Sequence, residues 1–252
     1  MNGIISLFKF TTRLPLGGKD DIDWEKLGKS MKFFPLVGII LGLIMYSSVK
    51  ILSISINSPL LIAALVVMIY VVLTGGIHLD GLSDTFDGIF SYRSKQRMLE
   101  IMKDSRVGAN GVMSLIMYFI LAIALLAELD TLEIPMGAII LIYPVIGRMS
   151  SALNCAVSEY ARSNGMAKSF VENTSYKDFL ISFVITSLYV YGVIRYFALP
   201  VTVIFTVPVT AILSYYFAKV MKRKIGGITG DTLGAVLELS QLATLLSVYF
   251  LI

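Results

Sequence analysis

One cysteine, Cys155, and one histidine, His78, occur in 252 residues. That excludes a disulfide framework, a cysteine-based metal site and any two-histidine zinc motif. Charge is scarce as well: 15% of residues are Asp, Glu, Lys or Arg, 56% are hydrophobic, and mean hydropathy is +0.81. A soluble domain carries about 25% charged and roughly 45–50% apolar residues, so a water-soluble enzyme is excluded. Polar linkers are missing too, whereas 14 Phe and 13 Tyr rule out a disordered or collagen-like chain. What remains is apolar runs long enough to cross a bilayer, which takes about 20 residues each.

The uncharged windows are 33–49, 59–77, 107–127, 134–158 (interrupted by Arg148), 179–194, 196–218 and 232–252 (interrupted by Glu238). None alternates with the period of two that a lipid-facing barrel strand requires. The predicted fold is all-α: a polytopic integral membrane protein of about seven transmembrane helices. With a cytoplasmic N-terminus, segments 1–32, 78–106, 159–178 and 219–231 face inward and hold 18 of the 21 Lys and Arg. The basic balance is then topology, and no nucleic-acid partner is expected. Ile4 to Phe8 is too short an apolar core for a cleavable signal peptide. Ile4, Ile5, Leu7, Phe8 and Leu14 instead suggest an interfacial helix, with Trp24 as an anchor. One transmembrane catalytic domain, 1–252, is expected, with a cytoplasmic interfacial segment 1–32, an acidic and basic loop 78–108 and a Gly-rich loop 219–231.

Acids are clustered. Asp20, Asp21, Asp23 and Glu25, and likewise Glu128, Asp130 and Glu133, read as solvated surface. Asp80, Asp84 and Asp87 differ: their i, i+4, i+7 spacing stacks three carboxylates on one helical stripe. No Lys or Arg lies between residues 51 and 92 to neutralise them. A hard divalent cation fits such a stripe, and Mg²⁺ typically takes one or two carboxylates plus substrate phosphates. Gly76, Gly81 and Gly88 allow close approach of a helix or a phosphate, and His78 suits phosphate contact or proton transfer.

The next segment carries Arg93, Arg97, Lys103, Asp104 and Arg106. Arg93 and Arg97 are expected on one helical face, the cations as phosphate partners and Asp104 as a fourth metal carboxylate. Gly75-Gly-Ile-His-Leu-Asp80 recurs as Gly226-Gly-Ile-Thr-Gly-Asp231, with an acid seven residues on in both places, Asp87 and Glu238. Glu238 and Arg148 lie inside apolar spans, where ionisable groups are costly and usually functional. The two suit an ion pair with each other, or Arg148 a substrate phosphate. Together these features equip one membrane face for metal-assisted phosphoryl transfer. No covalent nucleophile accompanies them.

Gly75-Gly-Ile-His-Leu-Asp-Gly-Leu-Ser-Asp-Thr-Phe-Asp-Gly88 and Met98-Leu-Glu-Ile-Met-Lys-Asp-Ser-Arg-Val-Gly108 closely resemble the cobalamin synthase (adenosylcobinamide-GDP ribazoletransferase) family. Thr12-Arg-Leu-Pro15, Phe34-Pro-Leu-Val-Gly38 and Gly226 to Ala235 resemble it too, and Ser83 stands where many members carry Ala. The resemblance implies a Mg²⁺-dependent enzyme of the cell membrane with its active site on the cytoplasmic side. Its reaction joins adenosylcobinamide-GDP to α-ribazole or α-ribazole 5′-phosphate and releases GMP, the last assembly step of cobalamin biosynthesis. Asp80, Asp84, Asp87 and Asp104 would be the metal set, with His78, Lys103 and Arg106 also catalytic. Gly76, Gly81, Gly88, Arg93, Arg97, Arg148, Asp231 and Glu238 would bind substrate. The bilayer, a second copy of the chain and other corrinoid-pathway enzymes are the expected partners.

Two other readings exist. Asp84-Thr-Phe-Asp-Gly88 also starts the signature of CDP-alcohol phosphatidyltransferases, but Ser91-Tyr92 stands where Ala-Arg should follow. A divalent-cation transporter predicts acids near the bilayer midplane, whereas most acids here sit at its inner edge.

Overall fold

The computed structural model describes residues 3–16, 23–132 and 134–252. Asp20, Asp21 and Glu133 lie outside them. The described residues form α-helices and no strand. A short α1 (Gly3–Thr11) and α2 (Trp24–Lys29, N-capped by Asp23) precede α3 (Phe34–Leu52), which a 3₁₀ turn at Met31–Phe33 extends. Then come α4 (Pro59–Thr74), α5 (Ile77–Ile89), α6 (Lys95–Ile101) and α7 (Ala109–Thr131). The chain continues through α8 (Met136–Val157), α9 (Lys168–Glu172), α10 (Tyr176–Phe197), α11 (Thr206–Ile225) and α12 (Gly230–Leu251).

Six of these elements are long and apolar enough to cross a membrane: α3 with its 3₁₀ turn, α7, α8, α10, α11 with the turn before it, and α12. The chain is thus a multi-pass membrane protein. The seventh expected span differs from the single run 59–77. Helix α4 stops at Thr74, and α5 leaves it at 93°. Gly75 and Gly76 make that corner, with φ of +64° and +71°, a left-handed conformation costly for any residue with a Cβ. Arg13 braces the corner: its N–H donates to the Leu73 carbonyl at 2.7 Å and its side chain lies over Gly75. The apolar run of α4 therefore ends at this corner, and α5, which carries the acids, turns away from it.

Helix α8 is the axle, with its whole apolar window enclosed by protein. Gly38 and Gly42 of α3, four residues apart, let the two backbones touch: a Cβ at Gly38 would meet the Pro144 carbonyl at 2.6 Å. Small-xxx-small spacing of this kind is how membrane helices approach closely without a hydrophobic driving force. On another side, Asn154 Nδ2 donates to Ser214 Oγ of α11 at 2.7 Å, and Ser151 Oγ to the Leu233 carbonyl of α12 at 3.1 Å. Outward-facing apolar positions lie on α3, α4, α7, α10 and α11, where Leu43, Met68, Ile120, Leu188 and Ile212 are exposed.

Helix α1 packs Gly3, Ser6, Leu7 and Thr11 against the protein and leaves Ile5 exposed. One expectation about a segment changes. The Gly-rich loop expected over 219–231 is mostly helix, because α11 continues to Ile225 and carries Lys222, Arg223 and Lys224 in its last turn, where cations suit the helix dipole.

Candidate active site

Both Gly-Gly-Ile turns deliver an acid to the same place. Gly81 of α5 lies against the backbone of Asp231, where a Cβ would meet its carbonyl at 2.6 Å. Gly234 of α12 lies equally close to His78, 2.9 Å from its carbonyl by the same measure. Helices α5 and α12 therefore cross at their N-terminal turns and bring Asp80, Asp84 and Asp231 together. A backbone pairing fixes what faces them: Ile228 N–H donates to the Glu159 carbonyl at 2.9 Å and Ala161 N–H to the Ile228 carbonyl at 2.8 Å. That seats Arg162 beside the acids, with Nη2 donating to Asp231 Oδ2 at 2.8 Å while the buried Nε has no partner. Thr229 Oγ1 donates to the same oxygen at 3.2 Å.

Asp84 feels this crowding. Partial burial first, then the charges of Asp80, Asp231 and Asp87, push its carboxyl up to about 7, with Arg162 opposing. Among the described residues no three His, Cys, Asp or Glu side chains already converge on a point that would enclose an ion. The donor set still fits Mg²⁺, whose usual site needs only one or two carboxylates and completes itself with water and phosphate.

Asp87 is placed differently from its stripe-mates. It is buried, and its carboxylate accepts the Gly108 N–H at 2.7 Å and the Gly111 N–H at 2.8 Å, closing the N-terminus of α7. Asp104 accepts the Arg106 backbone N–H and Nε at 3.0 Å and its Nη2 at 2.7 Å. Both of its oxygens are taken, and Arg106 holds its carboxyl down near 2. Arg97 pairs with Glu100 at 2.9 Å on the exposed face of α6, and Arg93 precedes that helix, so the two do not share a helical face. Gly88 packs on Met102, and Gly76 has open space around it.

Arg148 and Glu238 do not pair. The buried Glu238 carboxylate accepts the Tyr70 hydroxyl at 2.8 Å, Gln241 Nε2 at 2.6 Å and the Tyr118 hydroxyl. Arg148 donates to the Pro144 carbonyl at 2.9 Å and lies over the rings of Phe34 and Tyr70, 5.9 and 5.8 Å from their centroids. Its Nε and Nη2 are buried without partners. His78 Nδ1 stands 4.0 Å from Glu238 Oε1. Arg162, Tyr70 and Tyr118 were not singled out in the sequence; Arg162 stood among loop cations and the tyrosines inside apolar runs.

A cavity of about 390 Å³ opens beside the acids. Asp80, Lys103, Arg162 and Asp231 share its lining with the apolar Leu7, Phe10, Met31, Phe34 and Phe170 and with the polar His78, Tyr160 and Asn164. An acidic cluster, two cations and apolar side chains thus share one mouth.

Residues 3–249 match the model of the cobalamin-5-phosphate synthase family. The chain belongs to that family. It is 46% identical to an adenosylcobinamide-GDP ribazoletransferase of Fusobacterium nucleatum, with 96% of this chain and 95% of the relative covered. Identity to the ribazoletransferase of Clostridium acetobutylicum is 41%, over 98% of this chain and 95% of that one, and to the one of Acetivibrio thermocellus 38%, over 98% and 96%. No solved structure matches. Membership makes this cobalamin synthase homologue a transferase of cobalamin biosynthesis.

Proposed function

We propose that the chain joins α-ribazole, or its 5′-phosphate, to adenosylcobinamide-GDP, releasing GMP, at the mouth formed by Asp80, Asp84, Asp231, Arg162 and Lys103. The observation that carries this reading is Asp84, a half-buried carboxylate crowded by Asp80 and Asp231 with an arginine held opposite. Such a site suits one cation and one polyphosphate. Asp80 and Asp84 would hold Mg²⁺, with Asp231 beside them. The metal, when bound, neutralises the pyrophosphate and polarises its phosphorus–oxygen bonds.

The chain's own residues do the rest. Arg162, with Nε free to donate, and Lys103 hold phosphate oxygens and stabilise the departing GMP. The ribose 3′-hydroxyl attacks the corrinoid-side phosphorus, its proton passes to a carboxylate of the cluster, and the bond to the GMP oxygen breaks. Asp87 acts through the backbone: by tying α5 to the start of α7 it fixes where Asp84 stands. The bias of Lys and Arg to one set of segments supports a cytoplasmic N-terminus and, with it, a mouth that opens on the cytoplasmic face of the cell membrane.

The test is GMP release by detergent-purified protein supplied with adenosylcobinamide-GDP and α-ribazole phosphate. Release should require Mg²⁺ and fall by about three orders of magnitude or more in Asp84→Asn, as for loss of a key electrostatic group. Folded wild-type protein that releases no GMP with Mg²⁺ present would sink the proposal.

A further inference from the structure

Resting on that reading, we infer that Glu238 is a positioning residue that acts through His78. It holds the neutral imidazole with its proton on Nδ1, so that a bare Nε2 faces the mouth as a hydrogen-bond acceptor. The packing of α5 on α12 puts the pair together. Gly234 lies against the His78 backbone, and Glu238 follows it by four residues, one turn along the same face of α12. The buried His78 Nδ1 consequently stands 4.0 Å from the buried Glu238 Oε1.

Hydrogen-bond accounting assigns the proton. Tyr70, Tyr118 and Gln241 all donate to Glu238, so the group is a carboxylate, which only accepts. Each carboxylate oxygen has room for two bonds. Oε2 takes two, from Tyr118 and Gln241, whereas Oε1 takes one, from Tyr70. The unfilled place is thus on the oxygen that faces His78. Opposite it, Nδ1 is enclosed without a partner among the described residues, and the Arg148 guanidinium makes no hydrogen bond to it. A bare Nδ1 would set a lone pair against an anion, while a protonated one completes the carboxylate. The gap closes with a small turn of the ring, whose outer torsion is soft. His78 also lines the cavity, and with Nδ1 enclosed, Nε2 is the nitrogen that meets it. The tautomer leaves Nε2 able to accept from an O–H held there, the attacking hydroxyl in the proposed reaction.

His78 is the sole histidine, so protein labelled with nitrogen-15 histidine and purified without a histidine tag gives the NMR spectrum of one imidazole. At mildly alkaline pH the wild type should carry its proton on Nδ1, against the Nε2 preference of free histidine. Glu238→Gln keeps the shape of the side chain. Its oxygen belongs where two donors arrive, which turns its amide nitrogen toward Nδ1, and the proton should move to Nε2. In the same variant kcat should fall about tenfold, the scale of one hydrogen bond made in the transition state, with both KM values unchanged. Tyr118→Phe weakens the network but leaves Oε1 in place, and should keep the proton on Nδ1. A wild-type ring protonated on Nε2, or on both nitrogens, would overturn the inference even if no variant folds. So would a proton that stays on Nδ1 in Glu238→Gln, one that moves in Tyr118→Phe, or a kcat unchanged after the move. A wild-type ring protonated on Nδ1 in protein that never releases GMP would instead defeat the reaction reading.

Discussion

Asp87 separates a scaffolding carboxylate from a reacting one, and the two roles give opposite signatures. Its oxygens accept the Gly108 and Gly111 amides at 2.7 and 2.8 Å, two donors that the first turn of α7 leaves without helical partners. Each charge-assisted bond contributes about 1.5–3 kcal/mol, so Asp87→Ala should destabilise the fold by roughly 3–6 kcal/mol. In a chain of this length that corresponds to a fall in Tm on the order of 10 °C. Asp87→Asn keeps one acceptor oxygen and should lose about half as much. Gly111→Ala, which drives a methyl group onto the same carboxylate, should resemble Asp87→Ala. The assay is thermal unfolding in detergent, followed by far-UV circular dichroism, alongside GMP release from samples still folded. An Asp87→Ala protein with wild-type Tm and no turnover would refute the scaffolding argument and return Asp87 to the reaction itself.

Three further outcomes are expected. Asp84 binds its proton more tightly folded than unfolded, since its carboxyl is raised from 3.8 to about 7, so without divalent cations stability should fall as pH rises through that window; Asp84→Asn should flatten the decline in Tm measured between those limits. Glu238→Ala leaves the Tyr70 and Tyr118 hydroxyls buried without an acceptor and should cost about 3–5 kcal/mol in denaturant titration, with Glu238→Gln milder. Gly76→Ala meets open space and should lose only the left-handed strain, about 1–2 kcal/mol, whereas Gly75→Ala also displaces Arg13 and should lose more; equal losses in Tm would contradict the brace.

Much of this was legible in one dimension. Six apolar windows became spanning helices because length and hydropathy alone determine that outcome. The Asp80–Asp84–Asp87 spacing did put the three on one helix, α5. Which way each carboxylate turned was not legible, because Asp87 answers to amides 21 and 24 residues later, a tertiary demand that periodicity does not encode. The corner after Thr74 had its signal in the Gly75-Gly76 pair, read as room for a neighbouring helix or a phosphate rather than as a left-handed break. Gly38 and Gly42 likewise carried the α3–α8 contact in plain sight. Arg162 was hidden by the rule that explains inner-face cations wholesale; the pairing of residues 159–161 with Ile228 is what stands one of them beside the acids.

The complete enclosure of α8 has a consequence for how the molecule is made. During insertion α8 emerges with Arg148 and Asn154 when only the helices from α1 to α7 have been synthesised. Phe34 and Tyr70 are already there to face the guanidinium, but the Ser214 that receives Asn154 and the α12 backbone that receives Ser151 come last. A nascent chain ending before α11 therefore keeps only the bond from Asn154 to the Ser150 carbonyl of its own helix, and its central helix gains its full set of polar partners only when the last two spans arrive.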